Sequence, residues 1–128
     1  MKLLTHNFLT SQFLKGVKIG YPLTIRATKI EILQKKDVEY NEEFTKRMLP
    51  KLDYGVLLQA AKSLDCDTEM PKELAQDWES NEDFLQKVHN LIVGIEVVDG
   101  ELECPETGRK FLIREGIPNM LANADEVQ

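Results

Sequence analysis

The sequence predicts an α+β fold: a small antiparallel β-unit formed by both chain ends, with a central helical insertion. Three observations carry this. Residues 95–121 pack three turn signals into one span, Asp99-Gly100, Cys104-Pro105-Glu106-Thr107-Gly108 and Glu115-Gly116, with apolar residues alternating between them. Residues 41–94 carry apolar stripes at helical spacing, preceded by residues able to cap a helix. Residues 1–5 have no partner adjacent in sequence, so their expected home is the sheet built by the far end of the chain. The β-unit is therefore assigned to about residues 1–20 plus 95–124, the insertion to about 36–94, and 125–128 to a frayed tail, all in a single compact chain.

Taken in order, residues 1–5 read as a short strand. Residues 7–20 carry Phe8, Leu9, Phe13, Leu14, Val17 and Ile19 with Gly16 and Gly20 interrupting, which fits either a short helix or an ordered loop. From Tyr21 to Leu33 the β-branched pattern of Ile25, Ile30 and Ile32 argues for an extended segment, and 34–39 is a polar link. Asn41 can cap a helix bearing Phe44, Met48 and Leu49, which Pro50 should end. Asp53 can cap a second, with Val56, Leu57, Ala60, Ala61 and Leu64 on one face. A link over residues 66–77, with a turn near Glu73-Leu74-Ala75, leads to a third helix that Ser80 opens and Gly94 closes; Phe84, Leu85, Val88, Leu91 and Ile92 form its stripe. Asp99-Gly100 then suits a type I′ hairpin, with Ile95 and Val97 before it and Leu102 and Cys104 after it.

Composition narrows the function. A chain of 128 residues, 42% of them hydrophobic, supports one modest core. A net charge of −6 argues against phosphate-dominated binding to nucleic acid, which needs clustered Lys and Arg. The two cysteines, Cys66 and Cys104, are expected as reduced thiols, and neither a secretory leader pattern nor a membrane-length apolar run is visible. Catalytic material is sparse. No phosphate loop or nucleophile elbow is present, His89 sits beside an apolar stripe, and Glu101, Glu103 and Glu106 read as a solvated face rather than an acid–base pair.

The Cys104-Pro105-Glu106-Thr107-Gly108 knuckle has the outline of half a zinc-ribbon turn without its ligands. Structural zinc requires four N or S donors, and here Thr107 stands at the second ligand position while Thr10 and Ser11 occupy the N-terminal region. No metal is expected, and packing of Leu3, Leu102, Phe111 and Ile113 must hold the sheet.

The opening Met1-Lys2-Leu3-Leu4-Thr5-His6-Asn7, the Cys104-Pro105-Glu106-Thr107-Gly108-Arg109 turn and the closing Gly116-Ile117-Pro118-Asn119-Met120-Leu121 resemble the multifunctional methyltransferase-activating subunits, the tRNA methyltransferase 112 family. The resemblance extends through Asn41-Glu42-Glu43-Phe44 and Glu82-Asp83-Phe84-Leu85. It implies a metal-free variant of a zinc-ribbon-like fold with no catalytic residue of its own. The implied partners are several S-adenosylmethionine-dependent methyltransferases, bound one at a time, which carry the cofactor themselves and modify tRNA, rRNA and a translation release factor. RNA would be met only through the partner, no membrane is implied, and the implied location is cytoplasm and nucleus. A small RNA-associated ribbon-type binding module is the alternative.

The candidate docking residues are Ile117, Pro118, Asn119, Met120 and Leu121, joined by Thr5 and His6. Pro118 lacks an N–H and so belongs at a sheet edge, where an added partner strand would find main-chain hydrogen bonds and apolar side chains. Two plainer accounts compete: Pro118 blunts the edge against aggregation, or the apolar residues complete the chain's own core.

Overall fold

Four antiparallel strands lie in the order β1-β2-β3-β4, and the helices supply the other wall of the core. A computed structural model describes residues 1–33, 39–66 and 70–127. The elements are α1 (Leu3–Phe8), β1 (Thr24–Ile32), α2 (Glu42–Met48), α3 (Tyr54–Ser63), α4 (Glu82–Val93), β2 (Ile95–Glu103), β3 (Lys110–Arg114) and β4 (Ile117–Pro118). Short 3-10 turns cover Leu49–Lys51, Trp78–Ser80 and Ala124–Glu126.

The helical caps form as the side-chain chemistry dictates. Asn41 Oδ1 accepts from Phe44 N at 3.0 Å and Asp53 Oδ1 from Val56 N at 3.1 Å, each satisfying a donor that the first helical turn leaves unpaired. At α4 the cap is Asn81, accepting from Phe84 N at 3.1 Å, rather than Ser80. Ser80 is held in the preceding turn, where its hydroxyl donates to Asp77 O at 3.0 Å. That turn, over Trp78–Ser80, lies slightly later than the one expected near Leu74. Leu57, Ala60 and Ala61 of α3 and Val88 and Ile92 of α4 are buried against Val97, Leu102, Phe111 and Ile113 of the sheet in one continuous apolar cluster. Leu3 joins it fully buried, as the packing role expected of it requires.

Three expectations are corrected. The N-terminal residues form a helix from Leu3, not a strand; only Lys2 bridges to Glu96, and the sheet's strand from the first half of the chain is β1. Beyond α1, residues 9–20 are turns and irregular chain. Second, Asp99-Gly100 is no hairpin, because β2 runs straight through it. The buried positions change phase there, Ile95 and Val97 on one side and Leu102 and Cys104 on the other, through register shifts opposite Ala27 and Lys29. Gly100 is needed for closeness: a Cβ would lie 2.3 Å from Arg26 O. The two-residue turn with both φ positive is Glu115-Gly116, at 52° and 80°, joining β3 to β4. Third, the chain end is tied down. Lys15 N donates to Glu126 O at 2.6 Å, Arg109 Nε lies 3.2 Å from Glu126 Oε1, and Val127 bridges to Leu14. Most of the polar link, residues 34–38, falls outside the described residues, as do 67–69 of the later link.

Candidate partner-docking edge

The last strand is short because the sequence stops it. Arg114 pairs with Ile117 and Ile113 with Pro118; the ladder then ends with Asn119 N donating to Leu112 O at 2.9 Å. The side chain of Asn119 turns back to accept from Leu121 N at 3.1 Å, curling the chain away from the sheet. Since Asn119 N points inward to β3, alternation turns the Pro118 carbonyl outward. Pro118 has no N–H to leave exposed on that side, so the open edge offers an acceptor there and no donor.

Apolar side chains flank this edge. Ile117 is 69% exposed, Leu121 80% and Leu112 50%. Leu112 lies out of phase with buried Phe111 and Ile113, on the face it shares with Arg114 and Ile117, so it adds an aliphatic side chain to the patch. It is a site residue that sequence reasoning passed over, although the alternation of residues 110–114 displays it. The five predicted residues 117–121 are therefore contiguous at one edge, with a difference in role. Ile117 and Leu121 face solvent, whereas Met120 is partly buried against the core.

Thr5 and His6 do not join this patch. Thr5 is exposed on α1, which packs on α3 and α4. His6 is only 2% exposed, and its Nε2 lies 2.8 Å from Leu23 O. A carbonyl only accepts, so Nε2 carries the proton; burial holds the imidazole below its ordinary value although the Leu23 bond opposes this. His6 is a structural residue, and the contact role expected of it is withdrawn. His89 is likewise buried, edge-on to Tyr40 at 5.4 Å between ring centroids.

The knuckle that joins β2 to β3 is fastened by a carboxylate. Glu106 accepts from three successive backbone N–H groups, Lys18 at 3.1 Å, Ile19 at 2.9 Å and Gly20 at 2.7 Å. The Gly20, Lys18 and Ile19 bonds hold its carboxyl below the ordinary value. Cys104 sits beneath, 1% exposed. Burial pushes its thiol up, but hydrogen bonds involving Ser11, Thr107 and Glu106 outweigh this and bring it below the usual range. Hydroxyls of Ser11 and Thr107 thus stand around the sulfur where a zinc knuckle would require donors of another kind. Among the described residues, no group of three or more His, Cys, Asp or Glu converges to hold a metal. Glu101 and Glu103 each lie beside Arg26, at 3.5 and 3.4 Å, so both acids have a cationic partner.

Comparison with known proteins agrees with this architecture. The family model described as Trm112p-like protein matches residues 2–116. A mouse protein named multifunctional methyltransferase subunit TRM112-like protein is 46% identical over 129 aligned positions, covering 100% of this chain and 99% of its own. An Arabidopsis thaliana protein, multifunctional methyltransferase subunit TRM112 homolog A, is 40% identical with 99% of this chain and 100% of its own covered. Among solved structures, a chain of the E. cuniculi Mtq2-Trm112 complex, described as responsible for methylating the eRF1 translation termination factor, superposes with a TM-score of 0.56 at 20% identity. It covers 94% of this chain and 95% of that one. The small α+β architecture, the knuckle and the full-length match to these relatives place this chain in the Trm112p-like family of methyltransferase subunits.

Proposed function

We propose that this chain is a non-catalytic activating and stabilising subunit of S-adenosylmethionine-dependent methyltransferases, docking on each catalytic partner by adding its β4 edge to the partner's sheet. The observation that carries this is the aliphatic patch of Ile117, Leu121 and Leu112 beside an open, carbonyl-bearing strand. An exposed apolar surface of this kind rimmed by charge, here Arg114 and Lys110, fits a protein interface. The relatives' names supply the partner class, and the E. cuniculi complex pairs its family member with Mtq2.

The partners are several methyltransferases acting on tRNA, rRNA and a release factor, taken one at a time because they compete for one edge. The partner binds the cofactor. A subunit that binds only the folded enzyme stabilises it by mass action, and one that orders the cofactor pocket relieves the partner of that cost. We assign the protein no structural zinc, on the hydroxyls around Cys104, and place it with its partners' substrates in cytoplasm and nucleus. Co-expression with an Mtq2-type methyltransferase tests the proposal: the pair should co-purify and the soluble yield of the enzyme should rise. Equal soluble yield and no co-purification would overturn it.

A further inference from the structure

Beyond β4 the chain is anchored a second time. The Glu126 carboxylate meets the Arg109 guanidinium, with Nε 3.2 Å from Oε1 and 3.4 Å from Oε2, and Nη2 3.3 Å from Oε2. Oε2 also accepts from Asn123 N at 3.1 Å, closing the capping box of the 3-10 turn over Ala124–Glu126. The main chain of Glu126 is held too: its N–H donates to Asn123 O at 2.9 Å, and its carbonyl accepts from Lys15 N at 2.6 Å. Arg109 and the Asn123 N–H keep the Glu126 carboxyl below its ordinary value. Arg109 is itself fixed on β3, where Nη1 donates to Lys110 O and Cζ stands 4.9 Å from the centre of the buried Phe111 ring.

The first anchor is Asn119, whose N–H is committed to Leu112 O. Between Asn119 and Asn123 stand Met120, Leu121 and Ala122. Met120 and Ala122 pack against the core, while Leu121 between them is exposed. A segment this short, tied at both ends with its flanking side chains turned inward, forms an arch that holds the middle side chain out. The Arg109 and Glu126 side chains are each about a third exposed, so their ion pair adds little to global stability and acts locally.

We infer that Arg109 and Glu126 are a positioning pair for partner docking: they close the arch over residues 119–123 and so hold the Leu121 side chain in the apolar patch before a partner arrives. The inference rests on the docking function proposed above. A side chain already held in place costs less to order on binding than one on a loose segment, so the pair raises affinity without touching the partner.

The test compares the wild-type chain with Glu126→Ala, Arg109→Met and their double variant, and with Leu121→Ala alone and combined with Glu126→Ala. The melt, the backbone order parameter of Leu121 in the free chain and the affinity for a purified Mtq2-type methyltransferase are read on each. The two single variants are expected to melt close to wild type, while the Leu121 order parameter falls from about 0.85 to below about 0.6 and affinity falls about tenfold. Because the pair acts as a unit, the double variant should lose no more than either single one. Because it acts through Leu121, Glu126→Ala should cost nothing further once Leu121 is replaced by Ala. An unchanged order parameter at Leu121 overturns the inference, and so does full affinity alongside a mobile Leu121. A full additional loss from Glu126→Ala in the Leu121→Ala background overturns it as well, since Glu126 would then touch the partner itself. Should one single variant fail to fold, the other carries the same measurements; loss of the cooperative melt in both would make the pair a support of the whole fold and overturn the inference. Failure of the docking function shows separately: Ile117→Glu, with the arch intact and Leu121 ordered, would then capture the enzyme normally.

Discussion

The side-chain amide of Asn7 pairs with the backbone of Asp53 as a strand would: Nδ2 donates to Asp53 O at 3.0 Å and Oδ1 accepts from Asp53 N at 2.9 Å. Asp53 is the N-cap of α3, so one buried amide fixes the start of that helix against the end of α1. Asn7→Ala leaves a donor and an acceptor without partners in a partly buried place, at about 1–3 kcal/mol for an unsatisfied group. A drop of about 2 kcal/mol in denaturant stability is expected, and a variant within about 0.5 kcal/mol of wild type would show that water replaces the amide at no cost.

Docking and folding separate at neighbouring positions of the same sheet. Ile117→Glu puts a charge in the proposed interface but in solvent when the chain is free, so the melt should stay near wild type while affinity for the methyltransferase falls by about two decades. Phe111, 1% exposed, is the contrast. Phe111→Ala should cost about 3–5 kcal/mol and remove the cooperative melt. Wild-type co-purification of Ile117→Glu would move the interface away from β4.

The Glu106 clamp has a defined pH signature. Its carboxyl is held below the ordinary value in the folded chain, so its contribution is present above the unfolded pKa and is lost as pH falls through the folded one. Glu106→Gln removes the charge at every pH. The melting temperatures of the two proteins should therefore differ at neutral pH and converge in acid, below the ordinary carboxyl value of 4.5. A gap that stays constant down to acid pH would mean that the charge contributes nothing to the clamp.

With hydroxyls around Cys104, the purified protein should carry no stoichiometric zinc, and a chelator should leave its melting temperature unchanged. Elemental analysis returning one zinc per chain would contradict this.

Local chemistry made much of the fold legible. Asn41 and Asp53 announced their helices because a short polar side chain before an apolar stripe has one strong use, and Glu115-Gly116 announced the turn to β4. Asp99-Gly100 misled because Asp-Gly is also tolerated where two backbones crowd, and only the partner strand reveals Arg26 O 2.3 Å from the missing Cβ. Its clue was the phase change from Val97 to Leu102. Residues 1–5 misled because pairing through the termini left a single bridge at Lys2, while Leu3 and His6 found their burial in a helix. The outward patch was half legible: the run from Ile117 to Leu121 stands out in sequence, but Met120 turning inward and Leu112 joining depend on tertiary placement. Glu106 could not be told from a solvated acid, since its three donors lie 86 to 88 residues away in sequence.

The missing N–H of Pro118 bears on how the subunit meets its own kind. A second copy approaching in two-fold fashion about Pro118 sets each outward carbonyl against a proline nitrogen that carries no hydrogen, and the central pair of the would-be ladder forfeits both of its bonds. Free subunits are thus poor partners for one another at this strand. At the proposed docking edge an enzyme strand that brings an N–H to that position recovers the bond to the Pro118 carbonyl, so the edge favours a strand of another chain over a second copy of the subunit.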